Sequence, residues 1–183
     1  ALGRAHGCTL YQVMLGLWAL LLCRHSGQDE VGIGSPYHGR DAAGTEQLIG
    51  YFVNVLALRV EARRGGSASA LLSSARGSAS GALRHSAVPF QSVVHDLLPR
   101  RAHDASRNAI FQAIIGWGDE TEARKESTTD LRYGDSIEVF RTECGELHVS
   151  KVEVSLVVRP RFGDMVSRIE YNTDLFVRKS VER

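Results

Sequence analysis

The stretch Leu48-Ile49-Gly50-Tyr51-Phe52-Val53-Asn54 combines a glycine, two aromatic residues and one amide at the entrance to a long apolar run. Gly50 interrupts bulky neighbours, which predicts a tight turn or a close approach of the backbone. Asn54 opens the apolar run, and an amide where a buried strand begins must find hydrogen-bond partners or face a ligand. We therefore expect the rest of the chain to be organised around this stretch.

A helix and a strand are predicted on the N-terminal side of this stretch. The helix covers Thr9 to His25, because apolar residues recur there with the period of one buried helical face, and Thr9 with Gln12 has the spacing of a capping box. A short strand from Glu30 to Ser35 follows, and Pro36 is expected to stop it. The residues predicted to face the core from the helix are Leu10, Val13, Met14, Leu17, Trp18, Leu21 and Leu22.

More strands and helices are predicted on the C-terminal side. The first strand has apolar residues on both faces, which favours an interior position in a covered sheet. Together the elements predict an α/β fold with a mixed β-sheet flanked by helices. In chain order they are a strand from Val53 to Glu61, helices from Ser67 to about Arg84 and from Pro89 to Pro99, a strand from Ala109 to Trp117, strands from Ser136 to Phe140 and from Val149 to Arg159, a turn at Pro160 and Gly163-Asp164, and a strand from Met165 to Asn172.

Composition and charge exclude several classes of protein. The chain has 183 residues, of which 43% are hydrophobic, enough for one domain with a substantial core. The net charge is +1 and no basic stripe is present, which argues against binding of nucleic acid. No apolar run reaches the length of a membrane span. Cys8, Cys23 and Cys144 lack metal-ligand spacing, so we expect reduced thiols and a cytoplasmic location.

The sequence shows no complete catalytic motif. Paired histidines, Glu-x-x-His, Cys-x-x-Cys and a phosphate loop are all absent, so neither a metal site nor a catalytic residue is predicted. Gly32-x-Gly34 lacks the third glycine of a dinucleotide-binding motif, because Tyr37 occupies that position. His85 is interpreted as a partner of a backbone group or as part of a site. His38 is interpreted as a surface loop residue or as part of a tunnel wall.

Five short motifs occur in an order and spacing that resemble the downstream motifs of condensation domains of non-ribosomal peptide synthetases. The resemblance covers almost the whole chain, and it depends on the ordered set because no single motif is strong. The motifs are Ser35-Pro36-Tyr37-His38-Gly39-Arg40, Ile49-Gly50-Tyr51-Phe52-Val53-Asn54, His85-Ser86-Ala87-Val88-Pro89-Phe90-Gln91, Ser106-Arg107-Asn108 with Ile110-Phe111-Gln112, and Glu170-Tyr171-Asn172-Thr173-Asp174-Leu175-Phe176.

The resemblance implies a chloramphenicol-acetyltransferase-like fold of two α/β lobes with a tunnel between them. Carrier proteins present substrates there on 4'-phosphopantetheine, and a peptide bond is formed. The family's His-His-x-x-x-Asp-Gly motif belongs to the N-terminal lobe, and this chain has no such motif. The resemblance therefore implies that residues 1–183 are the C-terminal lobe, inactive alone, with the missing N-terminal lobe and carrier proteins as partners. A lone lobe would expose an apolar face, which predicts a non-native dimer or poor solubility.

The resemblance also assigns expected roles to residues, none of them catalytic in this chain. Asn54 should face the tunnel and orient pantetheine or the acceptor amine. Arg40 should hold its loop, a phosphate or a carboxylate, or form a salt bridge within the lobe. The segments near Gly39 and Thr128 are candidates for crossing to the other lobe. The substrate-tunnel residues are thus Asn54, Arg40 and His38, and the other motif residues are expected to be structural. Ser106, Arg107 and Asn108 are expected to brace strand starts or to touch substrate. Tyr171, Asn172 and Asp174 are expected to set a turn before the terminal helix. The remaining structural residues are Gly50, Phe52, His85, Pro89 and Phe90.

Departures from the family pattern leave other functions open. Val55 stands where threonine is common, Ala109 replaces a proline, and Val152-Glu153-Val154 stands where Phe-Asp-Leu is usual. The chain therefore fits a peptide-bond-forming domain or a related ester-forming, epimerising or heterocyclising domain. A further alternative is a non-catalytic module that recruits a carrier protein or a partner enzyme.

Overall fold

The computed structural model describes residues 2–45, 47–97, 107–118, 130–133, 137–140, 149–161 and 164–182. Five helices and seven strands are present in these ranges. In chain order they are α1 (Leu2–Ala5), α2 (Leu10–Ser26), β1 (Glu30–Tyr37), β2 (Asn54–Glu61), α3 (Ala68–Arg84), α4 (Phe90–Leu97), β3 (Ala113–Trp117), β4 (Asp130–Tyr133), β5 (Ile137–Phe140), β6 (Val154–Arg161), β7 (Asp164–Tyr171) and α5 (Arg178–Val181).

Five strands form one mixed sheet in the order β2-β1-β3-β6-β7. The pairs β1–β2 and β6–β7 are antiparallel, whereas β1 and β3 run parallel. Strands β4 and β5 form a separate antiparallel pair. The predicted α/β class with a mixed sheet and flanking helices is confirmed. The chain divides into two compact units, Ala1–Ile115 and Gly116–Arg183, which are described separately below.

Helix α2 has the predicted ends but a different buried face. Thr9 caps it with the complete capping box to Gln12, and Gly27 ends it in the left-handed conformation with φ 77°. Trp18 is buried as predicted, but Leu10, Leu17 and Leu21 are exposed, so their assignment to the core was wrong. The buried face includes small residues, because α3 packs closely against α2. The buried residues are Val13, Leu15, Gly16, Trp18, Ala19 and Cys23.

Helix α3 confirms the predicted element and supplies the small residues for this contact. Ser67 caps it, accepting a hydrogen bond from the N–H of Ala70. A Cβ built on Gly16 of α2 would lie 3.5 Å from the Cβ of Ala75 of α3, so the two helices meet at ordinary van der Waals distance. The small residues at this contact therefore set the spacing of the two helices.

The strands β1 and β2 differ from the prediction in two respects. Pro36 does not stop β1, because it pairs with Val55 of β2 and the strand continues to Tyr37. Beyond the register with β3 at Ile33 and Gly34, one side of β1 has no paired strand among the described residues, and such a position tolerates proline. Strand β2 is an edge strand of the described sheet, not an interior one, and its residues alternate between buried and exposed.

Charged side chains and a serine hydroxyl lie along the exposed edge of β2, where they hinder the pairing of another strand. Its charged side chains Arg59 and Glu61 are exposed, and Arg59 forms an ion pair with Glu30 of β1. The N–H of Glu61 donates to the hydroxyl of Ser74 on α3 at 2.9 Å. A side chain of the covering helix thus satisfies one main-chain group near the end of the edge strand.

Two further bounds shift for identifiable reasons. Strand β3 begins at Ala113 and not at Ala109, because a turn around Asn108 occupies the intervening residues. The predicted hairpin of β6 and β7 is confirmed, but Pro160 lies within β6 and pairs with Met165, so it is not part of the turn. The predicted start of the preceding strand at Ser136 and the position of Cys144 lie outside the described residues.

Two properties of the described residues bear on the composition arguments. Cys8 and Cys23 are free cysteines. Burial raises the pKa of the Cys23 thiol, and the nearby Asp29 and Glu30 carboxylates add to the effect. No described helix is long and apolar enough to cross a membrane.

A matched pair of glycine substitutions tests the packing. A Cβ on Gly34 would lie 2.5 Å from Cζ of Phe111, a ring that is 2% exposed, whereas no atom lies within 4 Å of a Cβ on Gly77 of α3. We expect Gly34→Ala to lower the free energy of unfolding by about 1–3 kcal/mol through overpacking. Gly77→Ala should raise it by about 0.4–1 kcal/mol by restricting the unfolded chain. Urea unfolding measures both, and equal effects would contradict this packing.

Candidate functional site

The loop between β1 and β2 is held by the side chain of Arg40. Its Nη1 donates to the carbonyl oxygens of Thr45 and Leu48, the latter at 2.8 Å, and its Nη2 donates to that of Gly50 at 3.2 Å. The guanidinium also lies 4.3 Å from the centroid of the Phe52 ring. A planar group with five donors suits this task, because it bonds several carbonyls while its face stacks on a ring. Arg40 therefore holds its loop, and its expected place in a substrate tunnel stays a prediction.

The closest backbone approach in this loop is at Gly39. Its φ is +65°, and a Cβ there would overlap the carbonyl oxygen of Phe52. Gly50 was predicted to mark a tight turn or a close approach of the backbone. A Cβ there would meet the ring of Phe52 at 3.0 Å, but its φ is not in the left-handed region. The strict requirement for glycine thus lies with Gly39, where conformation and space act together.

Asn54 connects the start of β2 to the segment 86–90. Its Nδ2 donates to the carbonyl oxygens of Ser86 at 2.9 Å and Val88 at 2.8 Å. Its Oδ1 accepts from the N–H of Phe90 at 3.1 Å and from that of Val55 at 2.9 Å. Both donors and both acceptor positions of the amide are therefore used within the chain. The expected contact of Asn54 with substrate stays a prediction.

An aromatic contact continues this connection to the segment before β3. The rings of Phe90 and Phe111 lie 5.3 Å apart at 45°, a favourable tilted arrangement. Asn108 forms the turn there, because its Oδ1 accepts from the N–H groups of Ile110 and Phe111 at 3.2 and 3.4 Å. The motifs around Asn54, Phe90 and Asn108 thus meet in one cluster, although they lie far apart in sequence.

The held loop presents apolar side chains to solvent. Ile49 is fully exposed and Tyr51 is 88% exposed. Exposed apolar side chains that lie together in a patch are a feature of interaction surfaces. We call the set the apolar rim; its members are Leu48, Ile49, Tyr51, Val53 and, on the segment bound by Asn54, Val88.

Two tyrosine contacts near the loop were not anticipated from the sequence. The Tyr37 hydroxyl donates to Asp41, and this hydrogen bond raises the pKa of Tyr37 because it favours the protonated phenol. The Tyr11 hydroxyl donates to Ser35 at 2.8 Å, and burial raises the pKa of Tyr11. The four-residue spacing of Tyr37 and Asp41 in a turn-rich segment was the available signal.

The two candidate histidines lie at the surface. His38 is exposed, stacks on Tyr37 with centroids 4.7 Å apart, and its Nδ1 accepts from the N–H of Arg40 at 3.0 Å. His85 is exposed at the C-cap of α3, where its N–H donates to Ala82 at 3.1 Å. The imidazole of His38 thus bonds to the backbone, whereas the bond of His85 is made by its main-chain N–H. Their expected part in a site stays a prediction.

The remaining predicted residues fall into three groups. Pro89 and Arg107 are exposed, and Ser106 and Thr128 lie outside the described residues. In the second unit, Asn172 organises the turn after β7: its Oδ1 accepts from the N–H of Asp174 at 2.9 Å, and its own N–H donates to Glu153 at 2.9 Å. Tyr171 is half-buried at the end of that strand. The predicted turn before the terminal helix is therefore present.

The cluster in the first unit is suited to shaping a surface. The polar side chains Arg40, Asn54 and Asn108 bond to main-chain groups, which fixes the loops that carry them. Among the described residues, no group of three or more His, Cys, Asp or Glu side chains is placed to hold a metal ion. The arrangement presents the apolar rim in a fixed position.

Two solved structures share the fold of this chain. A four-domain non-ribosomal peptide synthetase bound to AMP and glycine matches with a TM-score of 0.82 and 23% identity, over 99% of this chain and 14% of that one. The first condensation domain of the calcium-dependent antibiotic synthetase matches with a TM-score of 0.68 and 18% identity, over 99% of this chain and 37% of that one. The fold is therefore the chloramphenicol-acetyltransferase-like fold of condensation domains.

The family follows from sequence. The model of the family described as "Condensation domain" matches residues 1–183, so the chain belongs to the condensation-domain family. Tyrocidine synthase 3 of Brevibacillus parabrevis is 31% identical over all of this chain and 3% of its own length. Malpibaldin synthetase of Mortierella alpina is 40% identical over all of this chain and 3% of its own length. The chain thus spans a few per cent of these relatives, and the resemblance seen in its motifs is confirmed.

The four hydrogen bonds of Asn54 predict that replacing its amide by a carboxylate has a large effect on the stability of the fold. In Asn54→Asp two donors are lost and a carboxylate faces the carbonyls of Ser86 and Val88. We expect the free energy of unfolding to fall by about 1–3 kcal/mol at neutral pH. The new carboxyl would have a raised pKa in the folded state, so the loss should shrink as pH falls through that pKa.

Urea unfolding at several pH values measures this loss. Gln47→Glu is the matched control, because it makes the same chemical change at an exposed position of the same loop. A loss of equal size in the control, or a loss independent of pH, would contradict the assigned bonding of Asn54.

The planar guanidinium of Arg40 bonds to several carbonyls at once, which predicts that a positive charge alone is insufficient to hold the loop. Lysine keeps the charge but loses the planar group that reaches the carbonyls of Thr45, Leu48 and Gly50. We expect Arg40→Lys to accelerate amide hydrogen exchange in residues 47–53 roughly five- to tenfold, with the helices unaffected. Arg84→Lys, at an exposed position of α3, serves as control, and unchanged exchange in the loop would refute the role of Arg40.

Proposed function

We propose that this chain is the C-terminal lobe of a condensation domain that forms a peptide bond between carrier-tethered substrates. One observation carries the proposal: the condensation-domain model matches the whole chain, while the sequence contains no His-His-x-x-x-Asp-Gly. The 37% coverage of a solved condensation domain supports the presence of a second lobe in the working enzyme. Relatives far longer than this chain support the presence of carrier domains in the same assembly.

The proposed reaction is an acyl transfer. The amine nitrogen of the acceptor attacks the thioester carbonyl of the donor, the C–N bond forms, the C–S bond breaks, and the amine proton accompanies the departing thiol of 4'-phosphopantetheine. Both substrates arrive on carrier proteins, so this lobe holds no cofactor of its own. A group that moves the proton is supplied by the other lobe under this proposal, because no acid–base pair is found at the described site.

The residues of this chain act by positioning. Asn54 holds the segment 86–90, Arg40 holds the loop before β2, and Phe90 joins that segment to Phe111. Fixed loops keep a substrate channel in one shape, and small misplacements of such walls are costly in rate. Asn54 is therefore a positioning residue under this proposal, with its effect on the reaction transmitted through the backbone of Ser86 and Val88.

An aminoacyl-transfer assay between two loaded carrier proteins tests the proposal. We expect no transfer by this chain alone, and transfer when the chain is joined to an N-terminal lobe that carries the histidine motif. In the joined protein Asn54→Asp should lower kcat by roughly tenfold or more, whereas Gln47→Glu should not. Transfer by this chain alone would refute the assignment of an incomplete lobe, and a folded joined protein without transfer would refute peptide-bond formation.

A second candidate is a non-catalytic module that recruits a carrier protein or a partner enzyme. The apolar rim favours it, since a fixed and exposed apolar surface is itself a binding feature. Calorimetric titration of the chain with a carrier protein separates the two: binding without any second lobe favours recruitment. Ester-forming, epimerising and heterocyclising activities share the fold, and the same joined protein with hydroxyl or aminoacyl substrates distinguishes them.

A further inference from the structure

A groove of about 530 Å³ lies in the first unit, away from the cluster around Asn54. It is formed by the C-terminal half of α2, the start of α3, and the turn that joins β2 to α3. Its floor is apolar and stays partly open to solvent, because Leu17 is 45% and Leu2 is 46% exposed. The apolar residues that line it include Leu2, Leu17, Leu20, Ala62, Leu71 and Leu72.

The edge of this groove is positively charged. Arg24, Arg63 and Arg64 line it, together with one acidic residue, Glu61. Glu61 pairs with Arg63 at 3.2 Å, whereas Arg24 and Arg64 make no ion pair with the part of the chain that the structure describes. The N-terminus of α3, capped by Ser67, lies at the same end and adds the positive end of a 17-residue helix dipole. The Asp29 carboxylate lies at the same end, where it accepts from the main-chain N–H of Arg64 at 3.2 Å. Two guanidinium groups that form no ion pair with a described carboxylate thus flank an apolar floor, and three arginines outnumber the carboxylates of Glu61 and Asp29 there.

We propose that this groove is the docking surface for an acidic amphipathic helix from a neighbouring domain of the same polypeptide. A groove between two packed helices accepts the ridge of a third helix, and apolar side chains of that ridge would cover Leu17 and Leu71. Carboxylates beside the ridge would pair with Arg24 and Arg64. The positive charge at the edge of the groove favours an acidic helix over a basic one.

Two observations set the size and source of the partner. A small-molecule pocket encloses most of its ligand, but Leu2 and Leu17 remain nearly half exposed, so this shallow groove fits a macromolecular surface. The relatives carry the matching region within polypeptides of which it is 3%. A domain elsewhere in such a polypeptide is therefore the partner we infer. The inference does not depend on peptide-bond formation.

A designed peptide provides the first test. The probe has about 15 residues, with leucines at helical spacing flanked by glutamates, and a control peptide carries lysines in place of the glutamates. Fluorescence anisotropy of the labelled peptides is measured with the full chain. We expect the acidic peptide to bind and the basic peptide to bind at least roughly tenfold more weakly.

Matched variants locate the binding. Leu17→Lys should weaken it roughly tenfold, whereas Leu21→Lys should change it less than about twofold, because Leu21 has the same 45% exposure on α2 but does not line the groove. Arg64→Glu should likewise weaken it, with Arg84→Glu at the opposite end of α3 as control. Circular dichroism confirms that each variant is folded. The Arg64→Glu chain should also gain affinity for the basic peptide.

The results that would overturn the proposal are distinct. Equal binding of both peptides, equal effects of Leu17→Lys and Leu21→Lys, or no binding near about 1 mM would each exclude this docking surface. The source is tested in the intact polypeptide that the gene encodes, with a photo-crosslinking residue in place of Leu17 and, as control, of Leu21. We expect crosslinks to an acidic helix of another domain of that polypeptide. Crosslinks to a second copy or to a separate protein would overturn the assigned source.

Discussion

The side-chain amide of Asn54 is the interaction on which the first unit's loop arrangement depends. One planar group bonds to four main-chain groups, and three of them, on Ser86, Val88 and Phe90, lie more than thirty residues along the chain. These bonds replace water at the start of β2 and fix where α4 begins. Phe90 then reaches Phe111, so the order imposed by one amide extends to the segment before β3. The hydrogen-bonding positions of this amide are thus occupied by main-chain groups of the chain itself.

Arg40 has a similar position in the neighbouring loop. Its guanidinium bonds to carbonyls that no strand or helix satisfies, and the ring of Phe52 covers its face. Because the loop is held by inward-facing groups, its outward side chains are free to be apolar. The polar hydrogen bonds fix the backbone of the loop, and this backbone presents the apolar rim to solvent.

The sequence predicted what local chemistry determines. The cap at Thr9, the helix from Ser67 and the alternation of β6 each follow from spacing within a few residues, and all three are present. The family was also identifiable, because the motifs keep their order even where single residues differ. These features need no knowledge of what packs against what.

The predictions from sequence failed where contacts between segments distant in the chain determine the structure. Leu17 and Leu21 follow the helical period, but the buried face of α2 is chosen by the small residues that meet α3. Pro36 is tolerated because β3 does not extend alongside it. The bonds from Asn54 to Ser86 and Val88 were not foreseen, because no spacing rule connects these residues, and the expected contact of Asn54 with substrate stays a prediction. The groove beside α2 could not be predicted from the sequence, because its lining combines residues from elements that are separated in the chain.

The placement of β2 at an edge has a consequence for how this chain behaves at high concentration. An open strand edge is a template on which another chain can add a strand, and this is a common route to aggregation. Here the exposed face of β2 carries Arg59 and Glu61, and the hydroxyl of Ser74 occupies the N–H of Glu61. Charge and the covering helix together discourage a foreign strand from adding at this edge. These features protect the β2 edge of the described sheet, one of its two edges.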